Sequence, residues 1–142
     1  MQAITPYINF NGNGAQALAF YATALDGKIV HSQTFGESGM PISEDAKDRI
    51  MHALFEADKL QFMISDCQPG KEVTSGTQVH LSLNFDSLEL INKTFTNLSD
   101  GGTVTMELQD TFWGARFGML EDKFGVNWMF NFDYPKKVEQ VL

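Results

Sequence analysis

The sequence predicts an α+β fold made of two successive β-α-β-β-β modules, and three observations carry that prediction. First, the apolar spacing switches between a period of 2 and a period near 3.6 in the same order in each half. Second, the halves can be laid over each other. At an offset of 74, Asp26-Gly27 falls on Asp100-Gly101, Val30 on Val104, Tyr21 on Phe95 and Pro6 on His80. At an offset of 66, Leu60, Gln61, Phe62 and Met63 fall on Val126, Asn127, Trp128 and Met129. Third, the stretch from Gln109 to Tyr134 reads as strands Ala115 to Glu121 and Val126 to Phe132 around a tight turn, Asp122-Lys123-Phe124-Gly125. Its aromatic and β-branched content, flanking Gly and lack of internal Pro favour strands over a helix of the same length.

The chain starts with a strand from Ala3 to Asn11, where Pro6 suits a strand start or an edge. Asn11-Gly12-Asn13-Gly14 breaks it. Ala15, Leu18, Ala19, Ala22 and Leu25 then recur at helical spacing, giving a helix over Gly14 to Leu25 with Asn13 as N-cap and Gly27 as stop. Lys28 to Phe35 reads as a strand, and Gly36 to Asp48 as a polar, acidic loop. Arg49 to Ala57 and Leu60 to Cys67 are strands joined at Asp58-Lys59. Gln68 to Gly76 carries turn formers and no apolar period, so it links the modules. Thr77 to Phe85 alternates, with Leu81, Leu83 and Phe85 on one face and His80, Ser82 and Asn84 on the other. Leu88, Ile91, Phe95 and Leu98 mark a helix from about Ser87 to Ser99, stopped by Gly101-Gly102, and Thr103 to Asp110 is the next strand. The expected organisation is one domain over 1–142: module 1 over 1–67, linker 68–76, module 2 over 77–134 and a tail over 135–142.

Composition narrows the partners. A chain of 142 residues with 43% hydrophobic residues and 12 Phe can bury a real core. A net charge of −8 opposes phosphate backbones and anionic lipid, so neither nucleic acid nor a membrane is an expected partner. Cys67 is the single cysteine and cannot form an intramolecular disulfide. With no signal pattern or long apolar run, a reducing cytoplasm is the expected location.

Three stretches resemble one family: the opening ITPYINFNGNGAQALAFYATAL, IMHALFEADKLQFMISD in the middle, and DTFWGARFGMLEDKFGVNWMF at the end. They are similar to the PhnB-like branch of the vicinal oxygen chelate superfamily, which also holds glyoxalases, bleomycin-resistance proteins and extradiol dioxygenases. The closing motif, with Phe112-Trp113-Gly114, Gly118, Asp122, Phe124-Gly125 and Trp128, is the more specific part. The resemblance implies two curled mixed sheets facing each other around a central pocket, helices outside, and a homodimer. It also implies four positions at which metal-dependent members place ligands, here Pro6, Met63, His80 and Met129. Only His80 suits a hard or borderline divalent ion; proline offers no donor and methionine sulfur is soft, suiting copper(I) better. No metal and no cofactor is therefore expected.

The remaining candidates are weighed against plainer roles. His80 is the candidate catalytic residue, as acid or base, against a satisfied pocket histidine. Met63, Met129, Trp113 and His52 are candidate ligand-binding residues, with Met119 and Phe117 extending a soft wall. Methionine and phenylalanine in a small domain are also ordinary core, and His52 and His31 also read as structural or partly exposed. Arg116 is a candidate clamp for a planar anion, or a cross-strand partner of Glu107 or Glu121. Cys67 has no cation beside it in sequence and reads as structural. Asp66 reads as fixing a turn, and Glu37, Glu44, Asp45 and Asp48 as solvated charge or as part of a lid. PhnB-like proteins often bear a demethylubiquinone methyltransferase label, yet no Gly-rich strand-to-helix turn of a methyl-donor site is present. The expected function is binding of a small hydrophobic or aromatic molecule without an essential metal. The alternative is a lyase, isomerase or other enzyme of the superfamily that uses His80 as acid, base or metal ligand.

Overall fold

A computed structural model describes residues 1–136, so the end of the expected tail, 137–142, lies outside the described residues. The chain forms two compact units, Met1–Thr74 and Ser75–Leu142. In the first, β1 (Tyr7–Phe10), α1 (Gly14–Ala24), β2 (Lys28–Thr34), a short α2 (Phe35–Ser38), a 3-10 turn (Glu44–Ala46), β3 (Ile50–Ala57) and β4 (Leu60–Asp66) follow in order. In the second come β5 (Leu81–Phe85), α3 (Leu88–Ser99), β6 (Thr103–Asp110), β7 (Ala115–Glu121) and β8 (Asn127–Asp133). Each unit folds into a four-stranded mixed sheet, with orders β1-β4-β3-β2 and β5-β8-β7-β6. β1 runs parallel to β4, and β5 to β8; the other pairs are antiparallel. The same β-α-β-β-β topology is thus built twice.

Alternation along the strands gives each sheet one face for its helix. In the first unit Tyr21 of α1, fully buried, sits among Phe10, Phe55 and Phe62, with ring centroids 6.5, 6.4 and 5.5 Å away. In the second, Phe95 of α3 meets Phe130 edge-on at 5.0 Å, and Phe85 stacks on Phe130 at 5.8 Å. Gly118 on β7 must stay small: a Cβ there would lie 2.9 Å from the Phe95 ring and 3.0 Å from the Leu108 backbone.

Several boundaries differ from the sequence reading for identifiable reasons. β5 begins at Leu81 and not at Thr77, because the acceptors before it are taken by side chains. Asn127 Nδ2 donates to the Gly76 carbonyl at 2.7 Å, and His80 Nε2 to the Thr77 carbonyl at 3.2 Å. The expected loop 36–48 opens with a capped turn: the Thr34 hydroxyl accepts from Glu37 N, and the Glu37 carboxylate accepts from Thr34 N. Asn13 occupies the N-cap position of α1 but makes no side-chain cap bond. That role belongs to Asp66, 3% exposed, which accepts from Gly14 N at 2.8 Å, Gly12 N at 3.1 Å and Ile50 N at 2.8 Å. Asp66 therefore fastens the start of α1 to the start of β3, a larger task than fixing a turn. Asp122 does the work in the closing hairpin, accepting from Phe124 N, Val126 N and Trp128 Nε1.

Candidate functional site

Met63 and Met129 lie on the sheet faces turned away from α1 and α3. In the first unit one row of ladder partners crosses the whole sheet: Tyr7 opposes Met63, Met63 opposes Leu54, and Leu54 opposes His31. In the second unit the equivalent row is Ser82, Met129, Met119 and Met106. Met63 and Met129 thus occupy the same place in the two repeats, as the offset of 66 requires.

The first strands do not obey the offset of 74. Tyr7 stands opposite Met63 and Ser82 opposite Met129, so β1 and β5 are related by 75. Pro6 comes just before β1, one residue out of step with Tyr7. A one-residue slip moves a side chain to the other face, so Pro6 does not correspond to His80. In the first unit the row thus pairs a phenol with a thioether, and in the second a hydroxyl with a thioether. Methionine sulfur is a poor donor for hard or borderline divalent ions. Among the described residues, no three His, Cys, Asp or Glu side chains gather where they could hold an ion.

Each candidate residue has a definite place. His52 shares a 3.0 Å hydrogen bond with the Tyr7 hydroxyl, and its ring lies 6.3 Å from that of His31. His52, a candidate ligand-binding residue, thus meets His31 on one sheet, with Tyr7 as the member the sequence reading missed. His80 lies just outside β5. A carbonyl can only accept, so the Nε2 facing Thr77 carries the proton. Its Nδ1 is buried and has no hydrogen-bond partner among the described residues. Trp113 sits at the tip of the β6–β7 hairpin, 61% exposed, packed edge-on against Phe112 at 4.9 Å.

Arg116 projects to the α3 side. Its Nε donates to Asn92 Oδ1 on α3 at 2.9 Å, and its Nη1 to Asp110 Oδ1 at 3.1 Å. Its carboxylate partner is thus Asp110 and neither Glu107 nor Glu121. Tyr134 also donates to Asp110, at 2.6 Å. This bond first, and Arg116 second, hold the Asp110 carboxyl below its ordinary range, while donating to a carboxylate pushes the Tyr134 hydroxyl up. The sign follows from linkage. The Asp110 contribution is present above about pH 4 and is lost as pH falls through its lowered folded value. The Tyr134 contribution is present below about pH 10 and is lost as pH rises through its raised folded value. Tyr134→Phe should move the Asp110 carboxyl-carbon NMR titration upward; an unmoved midpoint refutes this account.

Cys67 is less isolated than its sequence neighbourhood implies. Arg49 donates to the Cys67 carbonyl at 2.9 Å and approaches its sulfur at 3.7 Å, while the thiol donates to Asn11 Oδ1 at 3.4 Å.

Known proteins agree with this architecture. Residues 5–130 match the model of the Glyoxalase/Bleomycin resistance protein/Dioxygenase superfamily. Protein YjdN of Escherichia coli is 34% identical, over 90% of this chain and 93% of YjdN. The crystal structure of protein PA1353 from Pseudomonas aeruginosa aligns with a TM-score of 0.85 and 38% identity, covering 95% of this chain and all of that one. The PhnB protein from Bacillus cereus, described as a putative 3-demethylubiquinone-9 3-methyltransferase, aligns with a TM-score of 0.78 and 26% identity over 92% of this chain and 99% of its own. Twin β-α-β-β-β units, the family match over most of the chain and these relatives together place the chain in the glyoxalase/bleomycin resistance/dioxygenase superfamily, as a PhnB-like member.

Proposed function

We propose that this chain binds a small hydrophobic or aromatic molecule without an essential metal, as a homodimer in the cytoplasm. The observation that carries the reading is the row Ser82, Met129, Met119, Met106, flanked by Asn84, Asn131 and Phe117 in the next row. Thioethers are polarisable and adapt to an aromatic ring, each contact contributing roughly 0.3–1.5 kcal/mol. The serine hydroxyl and the two amides supply the few directed polar groups that orient a bound molecule. Met63, Tyr7 and His52 offer the first unit a similar mixed surface. Arg116 contributes only indirectly, since its donors already serve Asn92 and Asp110, and Trp113 would act from its hairpin tip.

The test is calorimetry and thermal shift with a panel of planar aromatic compounds. A binder should raise the melting temperature saturably, as selective binding to the native state demands. Met129→Ala should then weaken it about tenfold, equivalent to about 1.4 kcal/mol. A panel with no saturable binder, or unchanged affinity in Met129→Ala, sinks the proposal.

One observation favours an enzymatic second reading: the unpartnered Nδ1 of His80 is a buried lone pair, a costly arrangement unless something donates to it. A ligand O–H or N–H would be that donor, and His80 the base. With a binder in hand, His80→Ala discriminates. Lost turnover with retained binding supports catalysis, whereas unaltered behaviour supports a pure binding protein. The methyltransferase description of the Bacillus cereus protein adds no support here, because the sequence carries no Gly-rich strand-to-helix turn of a methyl-donor site.

A further inference from the structure

We propose that Met106, Met119 and Met129 form a three-thioether site for a soft monovalent cation, copper(I). The three lie on adjacent strands β6, β7 and β8: Met119 opposes both Met129 and Met106, and Met106 sits between two register shifts of β6. Residues in register share a face, and neighbouring strands are roughly 4.8 Å apart. Three unbranched side chains, each with three rotatable bonds, can therefore bring their sulfurs to one ion. Met119 is the centre of the row, the member paired with both others.

The chemistry of this donor set is selective. Thioether sulfur is soft and neutral, so it prefers copper(I) over zinc, nickel or iron(II). It also needs no deprotonation, unlike a thiol or an imidazolium, so binding should not weaken as pH falls from 7 to 5. Met106, at 39% exposure, leaves the row open to solvent at one end. The chain's charge of −8 attracts cations. The site shares its row with the organic-ligand reading but uses a different property, the soft lone pairs of the sulfurs as donors.

Substitution by leucine keeps volume and hydrophobicity and removes the donor atom, typically at a stability cost below about 1.5 kcal/mol. The experiment is anaerobic titration of the full chain with copper(I) against bicinchoninate, at pH 7 and pH 5, with folding verified by circular dichroism. The expected result is one ion per chain at both pH values, at least about tenfold weaker in Met119→Leu. It should be unchanged in Cys67→Ser, which removes the only other strong sulfur donor. Absence of copper(I) binding, equal affinity in Met119→Leu, or loss in Cys67→Ser overturns the proposal. Saturable binding of an aromatic compound to the unsubstituted chain leaves the organic-ligand reading standing whichever way the copper result falls.

Discussion

Asp66→Ala is expected to destabilise the first unit by about 4 kcal/mol, since it strips the acceptor from three backbone N–H groups at once. Two of those bonds, from Gly14 and Ile50, are buried, and no water can replace a lost partner there at low cost. Gly14 adds a geometric constraint. A Cβ at that position would lie 2.8 Å from Asp66 Oδ1, so the carboxylate reaches the helix start only because residue 14 is glycine. Asp66→Asn keeps one oxygen but turns an amide toward the donors, and should lose about half as much. Amide hydrogen exchange gives the local reading: protection at Gly14 and Ile50 should collapse in Asp66→Ala well before that of β8. A total loss under about 1 kcal/mol in urea unfolding would mean that the helix start finds another acceptor.

Trp128→Ala should cost the second unit about 5 kcal/mol. The indole is fully buried between β5 and β7, where Leu81 and Leu120 are its ladder neighbours. Truncating such a side chain typically loses about 3–5 kcal/mol through transfer and cavity terms. The bond from its Nε1 to Asp122 Oδ2, 2.8 Å long, adds a charge-assisted share of about 1.5–3 kcal/mol. Trp128→Phe keeps most of the volume and should lose about 2 kcal/mol, mainly the bond. Far-UV circular dichroism is the appropriate probe, since Trp113 contributes its own exposed fluorescence. If the phenylalanine variant proves as unstable as the alanine one, packing shape and not volume controls the site.

Much of this architecture was legible because it is written in short-range periodicity. The 3.6 period of Ile91, Phe95 and Leu98 placed α3, and β6 and β7 fell on their expected residues because alternation and turn residues bounded them tightly. The row register was misread for a specific reason. The offset of 74 came from the helices and the turns that end them, Tyr21 on Phe95 and Asp26 on Asp100. The connection between β1 and α1 has three residues, however, and that between β5 and α3 has two. The strands are consequently one residue further apart than the helices, enough to exchange faces and to substitute Pro6 for Tyr7. Other features had no local signal at all. Asp66 caps a helix 52 residues before it, and Arg49 reaches Cys67 across 18. The Thr34–Glu37 cap is different: its Thr-x-x-Glu pattern stood in the sequence and identifies a helix start unaided.

The outer strands β2 and β6 both depart from regular pairing, with register shifts between Ile29 and His31, Gln33 and Thr34, Val104 and Met106, and Met106 and Gln109. An outermost strand that is straight and apolar is a template for strands of other molecules. Bulges bend and twist that template until an incoming chain meets its N–H and C=O groups out of phase. With Ile29 and Val30 exposed on β2, and Met106 on β6, these interruptions make the two strands poorer templates, while β1 and β5 form the opposite sheet edges without such shifts. Deleting a bulge residue such as Val30 should therefore show itself as precipitation at high concentration before it appears as unfolding.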